Sequence, residues 1–391
     1  MKKKGFALST ILLSFALSLV VLEFGVGLLR SIYGWKSKAP QIYEIPLLFN
    51  NSLLPKRESE YSLPTSMEAY ISLERLENRN QKIDIDKSNA YAADYFIFDR
   101  TGLHSPRPDH QSRAIVKTAK DGKIVYDVTY TIDKHGRRVT PHANEQERDF
   151  FVALLGDSYV FGEGVEDSET LPSYMAKQTE KSQFYNMGFH GYGPNSLLAR
   201  SLWSREFFQG IMQADGIGIY LFDSGDIPRT IGPMSLISRW GGDLSEFEFD
   251  GNIPIYLGSF KQNYQEQINF YKWFSDLDTV EVLGVDWPIF YLPSHFEKVG
   301  NTIEALKNEF INATDAQDFI VVVLREKQKS NWVHHKIMDQ LDKRKIKYLD
   351  YTSFDVSKIS RLPLYIDYEG HPRPLFYEIL SKILVNDLGI K

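Results

Sequence analysis

From residue 149 onward the chain alternates short apolar runs with helical stretches, and this rhythm limits the fold more than any other feature. The runs are FFVALL (150–155), QFYNMG (183–188), IGIYLF (217–222), FIVVVL (319–324) and KYLDYT (347–352). Runs of this kind suit strands buried on both faces, as in a parallel sheet. Between them, apolar spacing predicts helices over 168–180, 194–210, 263–275, 297–312 and 331–344. A last helix is expected over 374–387, with Phe376, Ile379, Leu380, Ile383 and Leu384 at helical spacing. Strands alternating with helices predict an α/β fold, a doubly wound parallel sheet flanked by helices. Residues 227–262, rich in Gly and Pro and holding Trp240, Phe247 and Phe249, break the rhythm and read as an insertion over one end of the sheet.

The segment before this region divides in two. Lys2, Lys3 and Lys4 precede an apolar stretch over residues 6–29, about the length that crosses a bilayer core as a helix. It runs into Arg30, Tyr33 and Trp35, which suit a membrane interface, and no small-residue cleavage site closes it. Residues 1–30 therefore read as a signal anchor with the lysines cytoplasmic and the rest of the chain outside. Glu23 is costly within a span and is expected toward its outer, hydrated end. Residues 31–145 read as a linker and a small β-rich lead-in, with clear alternation from Ile124 to Ile132 before the turn DKHGR. Residues 146–391 form the α/β domain.

Composition excludes several classes of function. There is no cysteine, so disulfides, thiolate metal sites and cysteine nucleophiles are absent. A net charge of −6 gives no reason to expect a nucleic-acid partner. No sequence feature calls for a metal or an organic cofactor.

In open α/β sheets, ligands bind beyond the carboxyl ends of the strands. Ser158 follows the end of the first run in GDSYVFGEG, at the start of a predicted helix whose N–H groups can stabilise an oxyanion. Asp157 and Ser158 are also good helix N-caps, so this stretch alone fits an ordinary strand-to-helix turn as well. A serine nucleophile needs a base, and His371, in LYIDYEGHPRP before the final helix, has the best setting. Glu369 and Asp367 precede it by two and four residues, and either would share its face in an extended segment. His190, His334 and His335 read as structural or surface residues. In NMGFHGYGPN, Gly188, Gly191 and Gly193 allow close backbone approach, which suits an oxyanion N–H and equally suits a plain turn.

Taken in order, the three stretches resemble the blocks of the SGNH (GDSL-type) hydrolases. GDSYVFGEG resembles the block that holds the nucleophile, NMGFHG the block whose glycine donates an oxyanion N–H, and DYEGHP the block of the catalytic histidine. The N-terminal anchor and YTIDKHGRR are similar to membrane-anchored bacterial members. The resemblance implies an SGNH-hydrolase or flavodoxin-like sheet, Ser158 as nucleophile, His371 as base and Glu369 or Asp367 as its acid, with Glu369 better spaced. It implies an oxyanion hole from Ser158 and Gly191, with Gly225 standing where the family places an asparagine. Loss of such a donor typically costs about 10²–10³ in turnover. Ser224, a backbone N–H or Asn195 are the candidate replacements, and Asp157, Asn195 and Asp226 the candidate substrate contacts. The activity implied is that of an esterase or deacylase on an extracytoplasmic ester, with polysaccharide the expected substrate, at the bacterial inner membrane. An O-acyltransferase with the same triad, or an inactive binding module of the same fold, are the alternatives.

Overall fold

The computed structural model describes residues 85–86, 96–98, 102–118, 122–141, 148–203, 207–283, 286–288, 290–324, 332–353, 362–367 and 370–390. The expected anchor over residues 6–29 lies outside these. Among the described residues, no helix is long and apolar enough to cross a membrane.

The lead-in supplies β1 (Ile85–Asp86), β2 (Phe96–Phe98), β3 (His104–Pro106), β4 (His110–Thr118) and β5 (Ile124–Ile132). The alternating region supplies β6 (Phe150–Gly156), β7 (Ser182–Gly188), β8 (Asp215–Phe222), the hairpin strands β9 (Ser245–Asp250) and β10 (Ile253–Ser259), then β11 (Asp318–Leu324) and β12 (Lys347–Tyr351). The helices are α1 (Ser158–Phe161), α2 (Leu171–Ala176), α3 (Pro194–Trp203), α4 (Asp226–Ile231), α5 (Met234–Ile237), α6 (Phe260–Ser275), α7 (Asp278–Leu283), α8 (Pro293–Thr314), α9 (Trp332–Lys343) and α10 (Pro374–Asp387).

The main sheet has the order β12-β11-β8-β6-β7, every pair parallel. In chain order of its strands this is 2-1-3-4-5, the doubly wound arrangement in which connections leave β6 in opposite directions. The five apolar runs are thus its five strands. Their side chains alternate between two cores: Phe151, Ala153 and Leu155 face one, Val152 and Leu154 the other. Leu306 and Phe310 of α8 and Ile337 and Leu341 of α9 fill the first core. Leu171 and Met175 of α2 and Phe376, Leu380 and Leu384 of α10 fill the second.

Some elements differ from expectation. The helix expected over 168–180 shrinks to α2, because Thr170 caps it and Glu166 and Glu169 close a separate turn ahead of it. The helix expected over 297–312 begins earlier, with Pro293 at its first position. The insertion is not one irregular loop: it folds into α4, α5 and the β9–β10 hairpin.

The lead-in is fastened to the sheet's edge through Arg138. Single bridges Ile132↔Arg138 and Arg138↔Asn186 join β5 to β7. The Arg138 side chain is fully buried, its guanidinium lying over the rings of Tyr130 (4.4 Å) and Phe161 (4.8 Å). Its nitrogens donate to the carbonyls of Phe161 (2.8 Å), Gly162 (2.6 Å) and Val165 (2.7 Å) and to Asp167 (2.8 Å). Arg138→Met would leave Asp167 and three carbonyls without that partner. Breaking a buried pair of this kind costs about 3–5 kcal/mol. A loss of that size is expected in urea unfolding, whereas Arg113→Met, whose pair with Asp127 stands in solvent, moves the midpoint little. Equal effects from the two variants would contradict the buried clamp.

Candidate active site

β6 and β7 run in register from Phe150↔Ser182 to Gly156↔Gly188, so the loops that follow them leave the sheet side by side. Their contact is close: a Cβ at Gly188 would lie 2.5 Å from the Phe161 nitrogen and 2.8 Å from the Asp157 carbonyl. Only glycine fits there.

Ser158 is the first residue of α1. Asp157 caps this helix, its Oδ1 accepting the Tyr159 N–H at 2.8 Å. The helix lasts one turn and reverses at Gly162, so that the N–H groups of Gly162 and Glu163 both donate to the Ser158 carbonyl (2.9 and 3.0 Å). His371 arrives from a turn ahead of α10. In it the Ile366 N–H donates to the His371 carbonyl (2.8 Å), Gly370 N–H to Ile366 (3.1 Å) and Arg373 N–H to Leu364 (2.8 Å). His371 Nε2 then lies 2.7 Å from Ser158 Oγ, across 213 residues of sequence. With the imidazole neutral, the serine hydroxyl donates to Nε2. Ser158 is buried, with 6% of its surface exposed.

Of the two acids expected to orient His371, Glu369 lies outside the described residues. Asp367 is placed elsewhere: it is exposed and accepts from Arg373 Nη2 at 2.9 Å, tying the turn together. A third acid stands at the imidazole. Glu163 is buried, its Oε2 3.4 Å from His371 Nε2 and 2.7 Å from His190 Nδ1, and the Tyr126 hydroxyl reaches its Oε1 at 3.4 Å. His190, expected to be structural, thus stands one contact from His371, and Glu163 was not among the expected acids. The one available signal was an acid five residues after the serine, just past a glycine that can reverse the chain.

Gly191 sits in the loop after β7 with φ of 68°, a left-handed conformation that favours glycine. A Cβ there would lie 2.7 Å from the Trp240 ring, so the insertion lays this half-exposed aromatic over the Gly191 turn. Phe247, in contrast, is buried against Trp203 and Tyr256. Among the described residues, no acceptor takes the N–H of Ser158 or of Gly191.

The remaining expectations need correction. The Gly225 N–H is bound to Asp223 Oδ1 at 2.5 Å, so it is not an open oxyanion donor. The Asn195 Nδ2 donates to the carbonyls of Arg229 (2.9 Å) and Ser245 (2.6 Å), so its donors are taken up in joining α3, α4 and β9. Asp157 and Asp226 are buried, and the carboxylates of both are turned to Arg229. Arg229 Nη1 lies 2.9 Å from Asp157, 3.2 Å from Asp226 and 3.9 Å from Asp223. Asp226 Oδ2 also accepts from the Tyr220 hydroxyl at 2.7 Å.

Three carboxyls thus share one guanidinium out of water. Burial, then the neighbouring Asp223 charge, pushes Asp157 up to about 6, against the opposing pull of Arg229. The same two causes push Asp226 well above the carboxylate range. A cavity of about 410 Å³ lined by Tyr291, Phe296 and Trp332 lies between α8 and α9 and holds neither Ser158 nor His371.

No protein-family model matches the chain. No curated protein matches it significantly. Among solved structures it is similar to a lipolytic protein of the G-D-S-L family from Veillonella parvula (11% identity, 61% of this chain and 97% of that one, TM-score 0.35). It is also similar to Axe2, an acetylxylan esterase from Geobacillus stearothermophilus (11% identity, 62% of this chain and 94% of that one, TM-score 0.35).

The carboxyl cluster has a measurable consequence. A carboxyl that holds its proton more tightly in the folded state lends stability below the ordinary carboxylate range, and that stability is lost as the pH rises through its raised pKa. For Asp157, raised from 3.8 to about 6, the window is pH 4 to 6 and the amount about 3 kcal/mol. Asp226 holds its proton in the folded protein and ionises on unfolding, so Asp226→Asn removes that carboxyl's own loss of stability with rising pH. In urea unfolding, this variant is expected to gain on the parent as the pH rises from 4.5 to 7. Parallel pH slopes for the two proteins would contradict the clustered charges.

Proposed function

We propose that the protein is a serine esterase of the SGNH type, with Ser158 as nucleophile and His371 as general base. The observation that carries this reading is the 2.7 Å contact of His371 Nε2 with a serine hydroxyl at the carboxyl end of β6, where the strand order reverses.

As Ser158 Oγ attacks an ester carbonyl, its proton passes to His371 Nε2, and the carbonyl oxygen becomes an oxyanion. The N–H groups of Ser158 and Gly191 are the donors we assign to that oxyanion. Collapse of the tetrahedral species breaks the ester C–O bond, and the departing alkoxide takes the proton from Nε2. Water then attacks the acyl-enzyme with His371 again as base, releasing the acid and restoring the serine. A sugar hydroxyl in place of water would turn the same steps into acyl transfer. We assign the orienting acid to Glu369, since Asp367 is held by Arg373.

The substrate we assign is an ester-bearing carbohydrate outside the cytoplasmic membrane, with residues 6–29 as the tether. Trp240 supports the carbohydrate, because a half-exposed indole at the Gly191 turn offers a face on which a sugar ring can stack.

Hydrolysis of p-nitrophenyl acetate tests the nucleophile and base. Ser158→Ala and His371→Ala are each expected to lower turnover by about 10³-fold or more. Parent turnover no faster than that of the two variants would overturn the reading.

A further inference from the structure

Glu163 occupies an unusual place for a carboxylate. In a serine triad the acid holds the Nδ1 edge of the histidine, away from the serine. Glu163 Oε2 instead lies 3.4 Å from Nε2, the nitrogen that faces Ser158. Its position is fixed from both ends. Its own N–H is bonded to the Ser158 carbonyl, and its carboxylate is bonded at 2.7 Å to Nδ1 of His190. The His190 ring lies against Phe161, with centroids 4.5 Å apart, and the His190 carbonyl accepts from His104 Nε2 at 2.9 Å. His190 directly precedes Gly191, so one carboxylate joins the nucleophile's turn, the oxyanion turn and the base.

We propose that Glu163 is a positioning residue for His371: its carboxylate, held by His190, sits at the Nε2 edge of the imidazole and stabilises the positive charge that the ring gains when Ser158 attacks. This role rests on the esterase reading above. Glu163 neither gives nor takes a proton. The proton moves from Ser158 Oγ to His371 Nε2 as the Oγ–C bond forms, and leaves with the alkoxide as the ester C–O bond breaks. Before transfer, Nε2 is an acceptor, and Glu163 has no hydrogen bond to make with it. After transfer, Nε2–H is a donor and Oε2 is the carboxylate oxygen beside it. At 3.4 Å the contact is longer than a good N–H···O bond, and such contacts tighten in the reacting complex. The gain falls on the charged state alone, which is how an interaction raises turnover rather than substrate affinity.

The other titratable and charged groups around the pair are common to parent and variant. These are Asp157, which interacts electrostatically with His371, Tyr159 beside His371, Tyr126 and Tyr130 of β5, Arg138 at the Gly162 carbonyl, His104 at the His190 carbonyl, and Tyr377 of α10. A difference between parent and variant therefore reports Glu163.

The test is the pH profile of kcat/KM for p-nitrophenyl acetate with the full chain, comparing parent, Ser158→Ala and Glu163→Gln, with circular dichroism to confirm folding. The acid limb reports the base of the free enzyme. A carboxylate at 3.4 Å raises that limb by about one pH unit even at the dielectric constant of water. Glu163→Gln is expected to move the acid limb down by about one unit or more and to lower plateau kcat roughly 10-fold or more, with KM little changed. A folded Glu163→Gln whose acid limb stays put overturns the proposal, whatever happens to its rate. If Glu163→Gln does not fold, Glu163→Asp withdraws the carboxylate by one methylene. A smaller downward shift then supports the proposal, and no shift overturns it. Parent activity that survives Ser158→Ala instead overturns the esterase reading on which the proposal rests.

Discussion

The site depends on a buried guanidinium that belongs to no catalytic block. α1 is a single turn, and a helix that short does not hold itself together in water. Its C-terminal carbonyls are gathered by Arg138, which comes from the lead-in and lies against two aromatic rings. The favourable pairing of a cation with helix C-terminal carbonyls is strengthened by burial. Through that clamp, the lead-in holds the turn that begins at Ser158 and reverses at Gly162. Glu163 inherits its position from the same reversal. A chain cut at residue 149 would retain every strand of the main sheet and lose the group that shapes the Ser158 turn.

A second buried guanidinium, Arg229, gathers the carboxyl that precedes Ser158. Asp157, Asp223 and Asp226 outnumber Arg229, and all four are largely buried. Burial, then the Asp223 charge, raises both Asp157 and Asp226. The nearby His371 pulls Asp157 the other way, lowering it. Asp157 thus serves twice, capping α1 through one oxygen and holding Arg229 through the other. This also explains why Gly225 and Asn195 are not oxyanion donors: the one feeds the Asp223 carboxylate, the other ties α3 to α4 and β9.

Much of this was legible in the residues. Five apolar runs became five parallel strands because strands buried on both faces need no polar alternation. Ser158 and His371 were legible because both fall in loops at the carboxyl edge of that sheet. The alternation from Ile124 to Ile132 became β5 with the same ends. The rest depended on partners that local sequence does not reveal. An acid near a histidine in sequence is not thereby its partner: Asp367 turned to Arg373, while Glu163, 208 residues away from His371 (371 − 163), reached the imidazole. Arg138, Glu163 and His190 fall inside the quoted stretches YTIDKHGRR, GDSYVFGEG and NMGFHG, but nothing in those stretches shows what each side chain touches. The β9–β10 hairpin was hidden by Pro254 and by glutamates interleaved with phenylalanines, in a stretch dominated by its glycines.

The central claim is that Ser158 is an activated nucleophile, and covalent labelling tests it most directly. The full chain would be treated with a fluorophosphonate, which phosphonylates activated serine hydroxyls, and the adduct located by peptide mass spectrometry. The account predicts one adduct, on the peptide that holds Ser158, absent from His371→Ala and after heat unfolding. Labelling at another serine, or none at Ser158 in the folded protein, would contradict it.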